Sequence, residues 1–489
     1  MPGQVILGLK LPARHVLHPA PLTNLRTMID MFVTLHLRQH ARLVCAVLYF
    51  AVAAPACGQL SSGLISQQQA ASVGLKRAWF ARAEVNPARS SVVDWILSVD
   101  QLLIVTDAGV IQAIDANTGQ TLWVTQFGNP NYPSLGPDAN EKFVAVINGS
   151  TLYLLDRANG RIQSQQPIGG APGAGPAVGK NHVFVPTMNG LIEGYPLDLN
   201  APKYKKWFYQ SFGRTMAPPL VTPESLAWTT NSGFLYVAGA VTPGVRFRLE
   251  TLGEFDARPA YRAPLIYAVS LAGEVFAVHE QLGTLQWRYM TGYPTSRAPA
   301  AVADRLFVTS EEPMLHCVDA STGLPQWASL GLAQFAAVTK SHVYGVDRYG
   351  TIHILNIADG APVGRIPTGG TVTALVNDQT DRLFLISDSG LVQCLHEIGA
   401  DKPTYYAERP AAMKEAAGEP KPQDEEYRGD GQPTTEPTAE PAATPQEASP
   451  FDEPATEAAG EDPFGTPAEE AKPSAEESDF GTDEANPFD

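Results

Sequence analysis

The sequence predicts an all-β fold, an eight-bladed β-propeller whose blades are four-stranded antiparallel sheets. A repeat of about forty residues, alternating apolar strands and two recurring turns within each repeat support this prediction. A period in this range is typical of propeller blades. The first turn of each repeat falls at Gly109, Gly149, Gly190, Gly233, Gly273, Pro313, Gly350 and Gly390.

Each repeat contains strand and turn signals in a fixed order. Segments such as QLLIVTDAG, which ends at Gly109, and LIYAVSLAG, which ends at Gly273, alternate β-branched or aromatic residues with a period of two. That period indicates a β-strand and is not produced by a helix. The second turn, as in Asp115 to Gly119, combines an Asp that hydrogen-bonds nearby backbone with a Gly that accepts positive φ. Each repeat therefore folds as two hairpins.

Tryptophans mark one position of the repeat and indicate how the ring closes. Trp79 lies 44 residues before Trp123 and has no repeat of its own ahead of it, while the eighth repeat ends near Gly399 without a fourth strand. The amino-terminal strand is therefore predicted to complete the last blade, which leaves that blade without an open edge. The predicted structural anchors, each buried against a neighbouring blade, are Trp79, Trp123, Trp207, Trp287 and Trp327.

The repeats resemble a known family. GVIQAIDANTGQTLW, from Gly109 to Trp123, and GEVFAVHEQLGTLQW, from Gly273 to Trp287, are similar to the tryptophan-docking repeat of pyrroloquinoline-quinone-type propellers. That family includes quinoprotein alcohol dehydrogenases and the lipoprotein subunit of the outer-membrane β-barrel assembly machine. The resemblance covers about residues 73 to 399 and specifies the fold better than the function, because propellers serve as both enzymes and scaffolds.

The net charge of −17 lies in the carboxy-terminal segment. Residues 401–489 contain 24 acidic and 6 basic residues, whereas the rest of the chain contains 27 and 28. A segment rich in Glu, Pro, Ala and Thr buries too little apolar surface to fold, so this tail is predicted to be disordered. Its aromatic motifs, such as SPFDEP, fit either a solubilising tail or short docking motifs. Nucleic acid is not an expected partner, since the tail repels phosphate.

The amino-terminal segment, residues 1–57, reads as an extension followed by an export signal. The apolar run LVCAVLYFAVAAPAC is short for a membrane span, and Ala54-Pro55-Ala56 resembles a cleavage site. Cys57 resembles the modified cysteine of bacterial lipoproteins, with ordinary cleavage after Ala56 as the alternative. A linker over 58–72 and the propeller over 73–400 follow. We expect an exported protein of the periplasm or cell envelope, held at a membrane only if Cys57 is lipidated.

Catalytic signals are absent from the sequence. Cys317 and Cys394 occupy a slot that other repeats fill with mostly small apolar residues, so they are predicted to be buried free thiols. His316 and His353 share a position that is predicted to face solvent, which other repeats fill with Gln112, Glu193 and Gln393. No zinc-protease, haem-attachment or phosphate-loop motif occurs, and the adjacent cysteines typical of quinoprotein dehydrogenases are missing. No catalytic residue, metal or cofactor is predicted.

Three arginines form the one candidate binding site. Arg214, Arg262 and Arg297 each sit just before the Ala-Pro that is predicted to open the innermost strand of the fourth, fifth and sixth blades, so we expect an arc around one mouth of the central funnel. Such an arc can grip a carboxylate or an acidic peptide. The alternative is that these arginines only cap loop carbonyls. The predicted function is a monomeric, non-enzymatic envelope scaffold that binds a protein or peptide. A quinoprotein-type oxidoreductase and an outer-membrane assembly factor are the alternatives.

Overall fold

The computed structural model describes residues 63–86, 88–198, 205–368 and 372–406. The chain divides into two units between Lys421 and Pro422, and every described residue belongs to the first unit. The predicted export signal, Cys57 and the acidic tail after Tyr406 lie outside the described residues. Within the described ranges, no helix is long and apolar enough to cross a membrane.

The described residues form eight four-stranded antiparallel sheets, which confirms the predicted fold class. Blade 1 comprises β2 (Val92–Ser98), β3 (Gln101–Thr106), β4 (Val110–Asp115) and β5 (Thr121–Gln126). Blade 2 comprises β6 (Ser134–Ala139), β7 (Phe143–Asn148), β8 (Thr151–Asp156) and β9 (Ile162–Pro167). Blade 3 comprises β10 (Ala177–Val178), β11 (His182–Pro186), β12 (Leu191–Pro196) and β13 (Trp207–Gln210). Blade 4 comprises β14 (Leu220–Val221), β15 (Ser225–Thr229), β16 (Phe234–Gly239) and β17 (Val245–Glu250).

The second half of the ring repeats this pattern. Blade 5 comprises β18 (Ala260–Arg262), β19 (Leu265–Val269), β20 (Glu274–His279) and β21 (Leu285–Met290). Blade 6 comprises β22 (Ala300–Val302), β23 (Arg305–Ser310), β24 (Met314–Asp319) and β25 (Pro325–Leu330). Blade 7 comprises β26 (Gln334–Val338), β27 (His342–Val346), β28 (Ile352–Asn356) and β29 (Pro362–Ile366). Blade 8 comprises β30 (Val372–Ala374), β31 (Leu383–Ser387), β32 (Leu391–Glu397) and β1 (Leu75–Arg82).

The ring closes as predicted, through the amino-terminal strand. β1 pairs antiparallel with β32, from Leu75 opposite Glu397 to Arg82 opposite Leu391. A five-residue helix, α1 (Gln67–Ala71), precedes β1 and is capped by Ser66. Ile65 and α1 pack into the core between blades 7 and 8. The folded body therefore includes residues 63–72 and, at the other end, residues 401–406, beyond the predicted range of 73–400.

The two faces of the ring carry different loops. First strands of neighbouring blades contact each other, as β2 does with β6 and β18 with β22, so they line the central channel. Within blades 1 to 7 the strands are neighbours in chain order, so turns alternate between the two ends of the sheet. One face carries the hairpins between second and third strands together with the blade-to-blade connectors. We call it the connector face and the other the opposite face.

Tryptophans join four of the blade pairs in the same way. The indole Nε1 of Trp79, Trp123, Trp287 and Trp327 donates to a backbone carbonyl of the next blade at 2.8–3.0 Å. Each ring covers the glycine of the next blade's second turn, for example Gly323 under Trp287, where an added Cβ would lie 2.5 Å from the ring. That glycine also has a φ of +73°. The turn therefore requires glycine for two reasons, the positive φ and the close approach of the indole ring.

Trp207 differs from the other four tryptophans. Its Nε1 is buried without a hydrogen-bond partner among the described residues. Tyr209, two residues later, bridges to blade 4 instead, since its hydroxyl donates to the Gly239 carbonyl at 3.2 Å and accepts from the Gly244 N–H at 2.7 Å. Trp207 packs edge-on against Tyr209, with ring centroids 4.8 Å apart. The predicted anchor at this junction is therefore shared between two aromatic residues.

Two junctions that lack a docking tryptophan use a glutamate clasp. Phe247 replaces the tryptophan at the junction of blades 4 and 5, where Glu280 accepts a hydrogen bond from Thr222 across the junction. Gly364 replaces it at the junction of blades 7 and 8, where Glu397 accepts hydrogen bonds from Thr339 and His342, both at 2.7 Å. Val73, just after α1, packs against Gly364, with its Cγ1 3.3 Å from where a Cβ would stand. The amino-terminal segment thus fills the space of the missing indole.

One prediction about the third strands is wrong. Gln112, Glu193, His316 and Gln393 were expected to face solvent, yet all four are buried. Both faces of a blade are covered by neighbouring blades, so an alternating polar position is not a solvent position here. Gln112, Glu193 and Gln393 instead bind backbone. The Gln393 amide accepts from the Ile65 N–H and donates to the Gly63 carbonyl, and so holds the amino-terminal segment.

Candidate binding site

The structure separates the three arginines of the predicted arc. Arg214 lies in the connector between β13 and β14, and Arg297 lies in the connector between β21 and β22, so both are on the connector face. Arg262 is the last residue of β18, paired with Leu265 at the turn into β19. That turn belongs to the opposite face. The prediction that the three arginines form one arc is therefore wrong. The Ala-Pro pair after Arg262 follows the first strand of blade 5, whereas the pair after Arg297 precedes the first strand of blade 6.

A different arginine occupies the channel. Nη2 of Arg258, in the connector that leads to blade 5, lies 3.9 Å from Oδ1 of Asp138 in blade 2, so the pair crosses the channel. Burial raises the pKa of Asp138, and the positive charge of Arg258 offsets only part of that rise. Burial also raises the pKa of Asp94 in blade 1, which faces the same guanidinium. The channel is narrow enough for side chains of distant blades to interact across it.

The connector face of blades 3 to 5 exposes a group of apolar side chains. We call the following residues the apolar patch: Met188, Phe212, Met216, Leu252 and Tyr293, together with the exposed Arg214 among them in the sequence. Leu252 is fully exposed and Phe212 is 66% exposed. Phe212 stands edge-on to Phe234 with ring centroids 5.6 Å apart, and the Gly233 turn next to Phe234 lies against the Leu252 connector. Phe212 and the connector that carries Leu252 thus lie against the same hairpin of blade 4.

The surroundings of the apolar patch are nearly free of charge on one side. The connectors and hairpins of residues 168–176, 187–190 and 211–219 contain a single charged residue, Arg214. Its backbone is fixed by two hydrogen bonds to Asn231, while its guanidinium has no ion pair or hydrogen bond among the described residues. Exposed Glu254 and Asp256 border the patch on the blade 5 side. Exposed aromatic, Met and Arg side chains with few surrounding charges are typical of protein interfaces.

Sequence reasoning found Arg214 but missed the rest of the apolar patch. Large apolar residues were interpreted by their place in the strand repeat, whereas Phe212 and Leu252 lie in connectors outside it. A usable signal was present in the sequence. Phe212 and Leu252 each stand directly before a glycine in a connector, at positions that the strand repeat does not assign to the core.

The thiols and histidines do not form a reactive centre within the described ranges. Cys317 and Cys394 are buried and free, as predicted, and burial raises the pKa of each thiol to about 12. The Tyr289 hydroxyl lies 3.1 Å from His316 Nδ1. No group of three or more His, Cys, Asp or Glu side chains in the described part of the chain is arranged to hold a metal ion.

Comparison with known proteins identifies the kind of propeller. Residues 271–361 match the family model described as outer membrane protein assembly factor BamB. The chain is a pyrroloquinoline-quinone-like β-propeller similar to BamB. It is 25% identical over 272 residues to BamB of Burkholderia pseudomallei, covering 54% of this chain and 63% of that protein. It is 21% identical over 319 residues to BamB of Yersinia pestis, covering 58% of this chain and 79% of that protein.

The solved structures agree in fold. BamB from Moraxella catarrhalis matches with a TM-score of 0.54 and 19% identity, covering 66% of this chain and 97% of that chain. A computationally designed protein, Ika8, matches with a TM-score of 0.51 and 16% identity. At such identities the match establishes the propeller fold, and the function has to be argued from the surface of this chain.

Proposed function

We propose that this protein is a non-enzymatic scaffold of the cell envelope that takes part in outer-membrane protein assembly by docking a protein partner on its apolar patch. The observation that carries the proposal is the exposed cluster of Phe212, Leu252 and Met216 around Arg214 on one face of the ring. The two BamB relatives, both named outer membrane protein assembly factors, support the same role and an envelope location.

The composition of the apolar patch fits a protein partner better than a small ligand. Hot spots of protein interfaces are enriched in aromatic residues and Arg at the centre of a desolvated area. Phe212 is fixed by its contact with Phe234, and its backbone N–H donates to the Tyr236 hydroxyl at 3.0 Å. Because the side chain is already held in place, little conformational entropy is lost when a partner covers it.

The decisive experiment compares two double variants. The patch variant combines Phe212→Ser with Leu252→Ser. The control variant combines Leu282→Ser with Leu324→Ser, which removes two side chains of 69% and 65% exposure from turns on the opposite face. Each tagged protein is captured from detergent-solubilised envelope, and co-purifying outer-membrane β-barrel assembly proteins are quantified by mass spectrometry.

We expect the wild type and the control variant to retain these assembly proteins and the patch variant to lose them. Two lost hot spots of about 2 kcal/mol each weaken binding by more than a hundredfold. Equal recovery with both variants, at unchanged melting temperature, would disprove docking through the apolar patch. Absence of assembly proteins from the wild-type capture would argue against the assembly role itself.

A further inference from the structure

A second site lies on the connector side of the channel and is formed by residues outside the apolar patch. A cavity of about 230 Å³ opens on the inner wall where blades 6, 7 and 8 meet, lined by Arg297, Ala298, Thr309, Gln334, Phe335 and Val376. The lining residues come from three blades: from the connector into blade 6 and its second strand β23, from the first strand β26 of blade 7, and from the segment after β30 in blade 8. A cavity of this size accommodates a group about as large as a phenyl ring or a leucine side chain.

Arg297 supplies an unpaired positive charge at this cavity. Its side chain is exposed and forms no hydrogen bond or ion pair with the described residues. The nearby carboxylate of Glu311 already accepts a hydrogen bond from Ser296. Two other arginines of the ring have partners: Arg258 faces Asp138, and Arg348 donates to the Glu311 carbonyl at 2.5 Å. The free guanidinium therefore keeps its hydrogen-bonding capacity for an incoming group.

The remaining walls of the cavity are apolar, with one hydroxyl. Phe335 is buried and stacks on Phe307 with ring centroids 4.7 Å apart, so it forms a rigid floor. Val376 is 37% exposed on the other side. The hydroxyl of buried Thr309 has no partner among the described residues, whereas the Gln334 amide is held by the Ala374 carbonyl at 2.9 Å. The Arg297 guanidinium, the Thr309 hydroxyl and two apolar walls thus surround the cavity.

We propose that this cavity binds a small carboxylate that carries an apolar group, either a free acid or the carboxyl end of a polypeptide. A guanidinium binds a carboxylate through two parallel hydrogen bonds, and the apolar walls cover the attached hydrocarbon. The other guanidinium of the channel, on Arg258, already faces Asp138 at 3.9 Å, whereas Arg297 has no such partner. This site goes beyond the proposed scaffold role, since it needs none of the apolar patch residues.

Calorimetric titration with 3-phenylpropionate tests the proposal. For a ligand of this size we expect a dissociation constant on the order of 1 mM. The neutral analogue 3-phenylpropanamide should bind at least about tenfold more weakly, and Arg297→Gln should cause a similar loss, because a charge-assisted hydrogen-bond pair is removed. Arg297→Lys should keep part of the affinity. The melting temperature of each variant should equal that of the wild type, since Arg297 has no partner to lose.

Arg214→Gln and Arg262→Gln are matched controls. Both remove one arginine from the same ring, the first on the same face and the second at the other end of the channel, and both should bind 3-phenylpropionate like the wild type. Equal losses in all three variants would show only general electrostatic attraction. Binding by Arg297→Gln equal to that of the wild type would show that Arg297 does not bind the ligand. Either result overturns the proposal, as does equal binding of the neutral amide.

Two peptides distinguish the possible sources of the carboxylate. An acetylated tripeptide ending in leucine with a free carboxyl group is compared with its amidated form. Tighter binding of the free form than of 3-phenylpropionate identifies a polypeptide end as the ligand class, whereas binding of 3-phenylpropionate alone identifies a small acid. Absence of binding by every carboxylate probe at 10-fold the expected dissociation constant, about 10 mM, overturns the proposal.

Discussion

At the scale of single residues, the ring depends on pairs formed by a tryptophan and a glycine of the next blade. Trp287 contributes an apolar ring over Gly323 and a hydrogen bond to the Ala320 carbonyl at 3.0 Å. Trp207 contributes only packing, because Tyr209 makes the hydrogen bonds at that junction. The same residue type at the same repeat position therefore has two different energetic roles.

This difference predicts the outcome of a conservative substitution. Trp287→Phe should lower the free energy of unfolding more than Trp207→Phe, by about 1 kcal/mol, because only Trp287 loses a buried hydrogen bond. Trp287→Ala should cost about 3–5 kcal/mol, as other large-to-small core changes do. Urea unfolding of the three variants and the wild type measures both quantities. Equal costs for the two Phe variants would show that the indole hydrogen bond contributes nothing.

At the scale of elements, the glutamate clasps compensate for missing tryptophans at two junctions. Glu397, at the end of β32, binds the turn and strand that begin at Thr339 in blade 7. Burial raises the pKa of Glu397, but hydrogen bonds from Thr339, His342 and Tyr344 outweigh this, so its pKa lies below the ordinary value. The pKa of Glu280 is lowered for the same balance of reasons, with Thr222 as the cross-blade donor.

The lowered pKa of Glu397 predicts a pH dependence of stability. A carboxyl whose folded pKa is below its unfolded value, about 4.3, stabilises the fold above that pH and loses this contribution as the pH falls through the folded pKa. Glu397→Gln should therefore be about 1–3 kcal/mol less stable than the wild type at pH 7, and the difference should shrink below about pH 4. Chemical unfolding at several pH values measures this. A difference that stays constant down to pH 3 would contradict an ionic clasp.

Ring closure by β1 predicts the effect of its removal. Deleting residues 73–85 removes β1 together with Val73, and so exposes the edge of β32 and the groove at Gly364. An unpaired strand edge promotes association between chains. Size-exclusion chromatography with light scattering should show aggregates, and the melting temperature should fall. A monomeric deletion protein with unchanged unfolding would mean that β1 is dispensable for closure.

At the scale of the whole molecule, the repeat predicted the number of blades and their closure because glycine turns and tryptophans recur at fixed spacing. Arg262 was misplaced because local Ala-Pro pairs occur on both sides of the first strand, and only the strand register distinguishes them. The buried position of His316 was misjudged because alternation shows two faces of a strand but not what covers each face. The apolar patch depends on connectors of different blades meeting in space, which no local pattern encodes.

The described body extends to Tyr406, so truncations on either side of residues 401–406 should affect the melting temperature differently. The Tyr406 hydroxyl donates to the Val338 carbonyl at 3.1 Å, and Tyr405 forms a β-bridge with Thr380. A chain that ends at Tyr406 should keep the full melting temperature, whereas one that ends at Ala400 should melt about 2 °C lower or more, because these contacts are lost.

Solubility should already fall when the chain is truncated at Tyr406, the step that leaves the melting temperature unchanged. Residues 1–406 contain 28 acidic and 29 basic residues, so the first truncation already removes the net charge of −17. Proteins near zero net charge self-associate more readily. The chain that ends at Tyr406 should therefore precipitate at lower ammonium sulfate than the full chain while melting at the same temperature. Scanning calorimetry and a precipitation curve on the three proteins measure the two effects separately. A melting temperature that falls already on truncation at Tyr406 would show that later residues stabilise the fold.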